Sequence, residues 1–202
     1  MYTGITRGTF EVVRVEREAG LLRYEVGLGD ELSQGLEPGA SVSIDGVCQT
    51  AVRVEAGVVL FEAIGETLDR TTLDTLEQGQ RVAVERSARV GDEIGGHDVA
   101  GHVIGTGEVA EVVEEGETRS LRIAVPSEWM RFILKKGFVA VDGSSLTVGE
   151  VDPTGSFWIH LIPETLRLTR LGDRQPGDRL NIELDARTVA IVETVERVLA
   201  ER

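Results

Sequence analysis

The sequence predicts an all-β protein made of two tandem copies of one small antiparallel fold, and three observations carry that prediction. The chain repeats itself: Pro38 to Val90 aligns with Lys136 to Thr188, placing Asp45-Gly46 on Asp142-Gly143, Cys48 on Ser145, Thr50 on Thr147, Glu66-Thr67 on Glu164-Thr165 and Gly79 on Gly177. The offset is 97 residues at the start of the match and 98 after one added residue. Apolar residues recur with a period of two along most of the chain, the mark of half-buried strands rather than helices. Finally, Gly57, Gly79, Gly155 and Gly177 fall at the joins between these runs, where chain reversal often needs a positive φ.

Each copy opens with a related strand, in "TGITRGTFEVVRV" from Thr3 and in "AGHVIGTGEVAEV" from Ala100. Second strands follow at Leu21 to Val26 and Ser120 to Val125. Ser41 to Ile44, Gln49 to Val54, Val58 to Ile64 and Arg81 to Arg86 complete the first copy. Phe138 to Val141, Leu146 to Val151, Phe157 to Ile162 and Arg179 to Leu184 are their counterparts. Antiparallel strands with non-adjacent pairing that close on themselves would leave no exposed edge. Helical signals are few. Ser127 is placed to cap a short helix through Trp129, Met130, Ile133 and Leu134, ended by Gly137. "ETLDR" from Glu66 and "ETLRL" from Glu164 read as single turns after a strand. Val189 to Arg202 carries Val192, Val195, Val198 and Leu199 on one flank, and such a stripe must be buried against its own barrel or another subunit.

Composition narrows the function. Lys and Arg number 21 against 35 Asp and Glu, a net charge of −14 that disfavours sequence-independent binding to a phosphate backbone. No apolar run reaches membrane-spanning length. The N-terminus lacks the basic-then-apolar pattern of a secretory signal. One cysteine excludes an internal disulfide and a cysteine-rich zinc site. These features lead us to expect a cytoplasmic protein with no nucleic-acid or membrane partner and no metal.

The positions where the copies differ point to chemistry. Gly4-Ile5 aligns with Gly101-His102, setting an apolar residue against an imidazole that can relay a proton near neutral pH. Gly101 would let a ligand approach the backbone closely. His97, five residues earlier, reads as a structural or turn residue, and His160 in "FWIHLI" as packing. Cys48 and Thr50 share one strand face, as do Ser145 and Thr147, with Gln49 and Leu146 opposite. Small polar groups on an inward face would need a polar ligand to meet them. Glu66-Thr67 and Glu164-Thr165-Leu166 follow an apolar strand and a break at Gly65 or Pro163, leaving backbone groups for a polar tail. Lys136 supplies positive charge in an acidic protein, to hold an anionic ring or merely to solubilise a turn.

Together these pieces resemble the riboflavin synthase alpha-chain family. The motifs are "MYTGI", "IDGVCQT", "ETLDRTTL", "VERSARVGDEIGGH", "GHVIGTGEV", "KGFVAVDGSSLTVGEV", "LIPETLRLTRLG" and "LNIELDARTVAIVETVERVL", in order over the whole chain. The resemblance implies two tandem six-stranded antiparallel Greek-key barrels, at 1–97 and 98–187, and a C-terminal α-helix at 188–202 through which a homotrimer forms. It implies that each barrel binds one 6,7-dimethyl-8-ribityllumazine. One would pass a four-carbon unit to the other, giving riboflavin and 5-amino-6-ribitylamino-2,4-pyrimidinedione without a cofactor. The first pocket would use Gly4, Ile5, Thr6, Cys48, Gln49, Thr50, Glu62, Ala63, Ile64, Gly65, Glu66, Thr67, Gly101, His102 and Val103. The second would use Lys136, Ser145, Leu146, Thr147, Ile162, Pro163, Glu164, Thr165 and Leu166. His102 would relay protons, Ser145 and Thr147 position the partner lumazine, Cys48 tune the pocket, and Asp185 orient a hydroxyl or accept a proton. A surrounding lumazine-synthase shell is left open.

The chain departs from the family pattern at Tyr2, where phenylalanine is usual, at Gln49 and Ala51, and at Ser144. The rival reading is a lumazine- or flavin-binding antenna protein, which holds one ligand without turnover. Such proteins tend to lose the "GGH…GH" pair and the second-copy "SLT", and both are intact here.

Overall fold

The computed structural model describes residues 1–201. Twelve strands form two closed antiparallel barrels. The first barrel holds β1 (Thr9–Glu18), β2 (Leu21–Gly27), β3 (Ser41–Ile44), β4 (Val47–Glu55), β5 (Val58–Ile64) and β6 (Arg81–Arg86), closing in the order β1-β2-β5-β4-β3-β6. The second holds β7 (Gly105–Glu115), β8 (Thr118–Ala124), β9 (Phe138–Val141), β10 (Ser144–Asp152), β11 (Ser156–Leu161) and β12 (Arg179–Leu184), joined in the same pattern. Among the described residues four α-helices accompany them: α1 (Gly29–Ser33), α2 (Gly65–Arg70), α3 (Pro163–Leu168) and α4 (Ala186–Ala200).

The duplicated Asp-Gly pairs explain the tightest corners. Asp45 and Gly46 have φ of 44° and 82°, and Asp142 and Gly143 of 44° and 81°, so each two-residue loop has both φ values positive. That conformation matches the strand twist, and Asp-Gly favours it. Bulges recur at equivalent places, between Val12 and Arg14 in β1 and between Val109 and Glu111 in β7, and bend the strands into closure. Each barrel has its own core, one around Tyr24, Phe61 and Leu73, the other around Ile123, Phe157 and Leu171.

The two Asp-Gly turns pack back to back. A Cβ on Gly46 would lie 2.4 Å from the Gly143 nitrogen, so only glycine fits. Around this contact Asn181 reaches across, donating to the Asp45 carbonyl at 2.8 Å and accepting from the Thr72 N–H at 2.8 Å. Arg170 meets the buried Asp45 at 3.3 Å, and Arg174 meets the buried Asp142 at 2.5 Å. Asp45 bears the cost: burial, then the nearby Asp142 charge, push its carboxyl up to about 6.

Three expectations need correcting. The opening strands begin at Thr9 and Gly105, not at Thr3 and Ala100. The residues before them form arms whose N–H groups are taken by buried carboxylates: Glu85 accepts from Thr3 and Gly4, and Glu183 from Ala100 and Gly101. Ser127 does not cap a helix; a short 3-10 turn spans Ser127–Trp129 behind Pro126, without a side-chain cap. The tail helix starts earlier than expected, at Ala186, with Arg202 outside the described residues. Its Val189 and Val192 pack on the second core, while Ile191, Val195, Val198 and Leu199 are exposed.

Candidate active site: two equivalent pockets with crossed arms

The polar strand faces point out of the barrels. Along β4, Val47, Gln49 and Ala51 are buried while Cys48 is half-buried and Thr50 exposed. Along β10, Ser144 and Leu146 are buried, Ser145 is half-buried and Thr147 exposed. The inward placement expected for Cys48, Thr50, Ser145 and Thr147 is therefore wrong, because alternation fixes which residues share a face but not which face is the core. The pockets lie against the outer walls, beside the arms.

Those arms are exchanged. The Cys48 N–H donates to the Gly101 carbonyl at 2.9 Å, and the Ser145 N–H donates to the Gly4 carbonyl at 2.8 Å. Each arm thus lies on the other copy's barrel, and Tyr2 and Val99 pair across the crossing. Gly101 has φ +80° and a Cβ there would come within 2.6 Å of the Cys48 Cβ; Gly4 has φ +73° and the same relation to the Ser145 Cβ at 2.5 Å. These glycines admit the neighbouring strand at close range, and each also lines a pocket.

One pocket, of about 230 Å³, is lined by Val47, Cys48, Glu66, Thr67, Arg70, Thr71, Gly101, His102 and Val103. The other, of about 200 Å³, is lined by Gly4, Ile5, Thr6, Ser144, Ser145, Leu146, Ile162, Glu164, Thr165, Leu168 and Thr169. Gly4, Ile5 and Thr6 therefore belong with the second barrel, correcting their assignment to the first pocket. The structure brings together Cys48, Glu66, Thr67, Gly101, His102 and Val103 as expected for the first, and Ser145, Leu146, Ile162, Glu164 and Thr165 for the second.

Other predicted residues stand apart from these linings. Gln49 is buried inside the first barrel, its amide donating to the Cys48 carbonyl at 3.0 Å while its Oε1 has no partner. Ala63 is buried in the first core, and Glu62 is bound by Arg23 at 2.8 Å on the surface. Ile64 is exposed and Gly65 opens α2. Lys136 is exposed in a turn with φ 68°, Pro163 opens α3, and Leu166 packs against the second core. Asp185 caps α4, accepting from the Arg187 N–H, the Thr188 N–H and the Thr188 hydroxyl. Burial alone would raise its pKa, but the Thr188 hydrogen bonds more than offset that and hold it below the usual carboxylate range. A committed cap with a depressed pKa is a poor proton acceptor, so that expectation gives way to a positioning one.

The residue that sequence reasoning undervalued is His97. Its Nδ1 lies 2.6 Å from the Ser145 hydroxyl, and its ring stacks on Phe138 at 5.1 Å between centroids. Burial lowers its pKa, outweighing the charges of Asp185 and Asp98, so the imidazole is held towards its neutral, basic form. Gly96 makes the approach possible, since a Cβ there would come 2.6 Å from the Ser145 Cβ. The "GGH" spelling was the available signal. At the equivalent place in the first pocket, Cys48 accepts instead from the Tyr2 hydroxyl at 3.2 Å. The Tyr2 hydroxyl that departs from the family pattern thus has a partner. Ser144, the other polar departure, lies 3.2 Å from the Thr6 hydroxyl.

The comparisons agree with this duplicated architecture. The lumazine binding domain family matches residues 3–87 and again 100–185. Riboflavin synthase of Escherichia coli (strain K12) is 46% identical over 203 residues, covering 100% of this chain and 95% of that protein. Riboflavin synthase of Buchnera aphidicola subsp. Baizongia pistaciae is 39% identical, covering 98% and 94%. Among solved structures, LumP complexed with riboflavin superimposes with a TM-score of 0.85 at 23% identity, covering 92% of this chain and 100% of that one. LumP complexed with 6,7-dimethyl-8-(1'-D-ribityl) lumazine gives 0.82 at 22%, covering 92% and 99%. With both halves matched and full-length relatives well above 30% identity, the chain belongs to the lumazine-binding domain family.

Proposed function

We propose that this protein catalyses the riboflavin synthase reaction, transferring a four-carbon unit between two molecules of 6,7-dimethyl-8-ribityllumazine. The carrying observation is the pair of pockets built to one plan and altered at the groups able to react. Dismutation of two identical molecules needs two similar sites with unequal surroundings. His102 stands in one copy where Ile5 stands in the other, and Cys48 with Tyr2 where the other copy has Ser145 with His97.

The 7-methyl group of the lumazine is acidic because its carbanion delocalises into the ring. A base must take that proton while hydrogen bonds steady the anion. His97 acting through Ser145 provides an imidazole held towards its neutral form at the second pocket, and His102 stands at the lip of the first. In this reading Ser145 positions the second lumazine, Cys48 tunes the first pocket, and Thr147 contacts the ligand from the exposed strand face. Asp185 holds the start of α4 and the field around His97. Two flat rings held face to face escape the orientation cost of a bimolecular encounter.

We assign the facing pair of pockets to two different subunits of a homotrimer. The exposed Ile191, Val195, Val198 and Leu199 of α4 support this, since a helix seldom leaves such a row in water. Incubating the purified protein with the lumazine tests the reading. Riboflavin and the pyrimidinedione should appear in equal amounts, and the native mass should be that of three chains. Stable fluorescence of bound lumazine without consumption would instead mark a carrier.

A further inference from the structure

The two pockets also differ in charge, in a way the exchange of a proton relay for an apolar residue does not explain. Position 70 in the first copy corresponds to position 168 in the second. Arg70 lines the first pocket and Leu168 the second. The neighbouring pair changes with it. In the second copy Arg167 grips Glu164 with two hydrogen bonds, at 2.9 and 2.6 Å, so the only charged side chain lining that pocket is already neutralised. In the first copy position 167 is replaced by Asp69, and Glu66 has only the Arg70 Nε at 3.7 Å, beyond hydrogen-bond reach. Arg70 donates no hydrogen bond among the described residues, and its five N–H groups remain for a ligand. Glu66 on its own helix, His102 from the crossing arm and Cys48 on β4 are the titratable groups lining the pocket with it, beside the hydroxyls of Thr67 and Thr71.

We propose that Arg70 makes the first pocket the one that holds the heterocycle as its anion, while Leu168 reserves the second for the neutral molecule. This rests on the function proposed above and deepens it. A planar, weakly hydrated guanidinium suits a charge spread over a flat ring. An apolar wall at the same height penalises that charge by removing water from it. One protein would thereby hold two identical molecules in different ionisation states, which is what a donor and an acceptor require.

The test loads the intact protein with two molecules of 6,7-dimethyl-8-ribityllumazine per chain, so that both pockets are filled, with absorbance read by stopped flow before a turnover, from pH 6 to 10. Loss of the methyl proton to buffer extends the conjugation and changes the spectrum. Half of the bound ligand should ionise about one pH unit below the other half, a tenfold change in the anion-to-neutral ratio. Arg70→Leu should abolish the early step while retaining binding, Arg70→Lys should keep most of it, and Leu168→Arg should move the second half down as well. A single ionisation in the unaltered protein, or an early step that survives Arg70→Leu, would overturn the proposal. Absence of any lumazine binding would overturn the functional reading itself, a result distinguishable because added protein would then leave the spectrum of the free ligand unchanged at every pH.

Discussion

Asp45 should weaken the protein at neutral pH, and Asp45→Asn should strengthen it. The carboxyl is buried beside Asp142, and its pKa is pushed up from 3.8 to about 6, by burial first and the Asp142 charge second. A folded-state pKa raised above the unfolded value favours folding fully below about pH 3.8, and that advantage is lost as pH rises through about 6. At pH 7.5 the buried charge therefore costs about 3 kcal/mol relative to the protonated form. An asparagine keeps the Oδ1 acceptor for the Ala83 N–H at 2.6 Å but loses the charged contact to the partly exposed Arg170 at 3.3 Å. The expected gain is about 1 to 3 kcal/mol at pH 7.5, falling to nothing or a slight loss near pH 4.5. Urea unfolding followed by tryptophan fluorescence at pH 4.5, 6 and 7.5, at one protein concentration, measures it. A variant destabilised equally at all three values would refute the reasoning, because Asp45 would then act as a net-stabilising ion pair.

Four further expectations concern the pockets. His102→Gln should lower kcat by about 10²-fold or more while lumazine binding stays within a few-fold, as titration of ligand fluorescence would show; equal losses in both would remove its chemical role. Ser145→Ala and His97→Gln should each cost about 10² to 10⁴ in rate and, combined, little more than either alone, since they act as one unit. Because burial lowers the His97 pKa, the acid limb of the rate profile should lie below the ordinary histidine value, and His97→Gln should erase it. Gly101→Ala combines φ +80° with a 2.6 Å approach to Cys48, so unfolding should become easier by about 1 to 3 kcal/mol or more, with the first pocket damaged more than the second.

The sequence alone determined a great deal. Its internal copy fixed two domains of one kind, and its alternation with Asp-Gly and Gly punctuation located strands such as Ser41–Ile44, Val58–Ile64 and Arg179–Leu184 to the residue. These are local properties: hairpin turns and pleat periodicity are set by neighbouring residues. The pairing of Cys48 with Ser145 and of His102 with Ile5 was also legible, because alignment of the copies needs no coordinates.

Only the tertiary structure decided which way those residues face and which barrel each arm serves. Alternation separates Cys48 from Gln49 without saying which is inside; closure of the barrel chose Gln49. The arms cross because Glu85 and Glu183 take up their N–H groups while Cys48 and Ser145 bind their carbonyls, and such contacts join residues 53 to 141 positions apart. His97 becomes a partner of Ser145 for the same reason. Its role depends on a glycine that lets two distant segments touch, and nothing in the local spelling states which segments will meet.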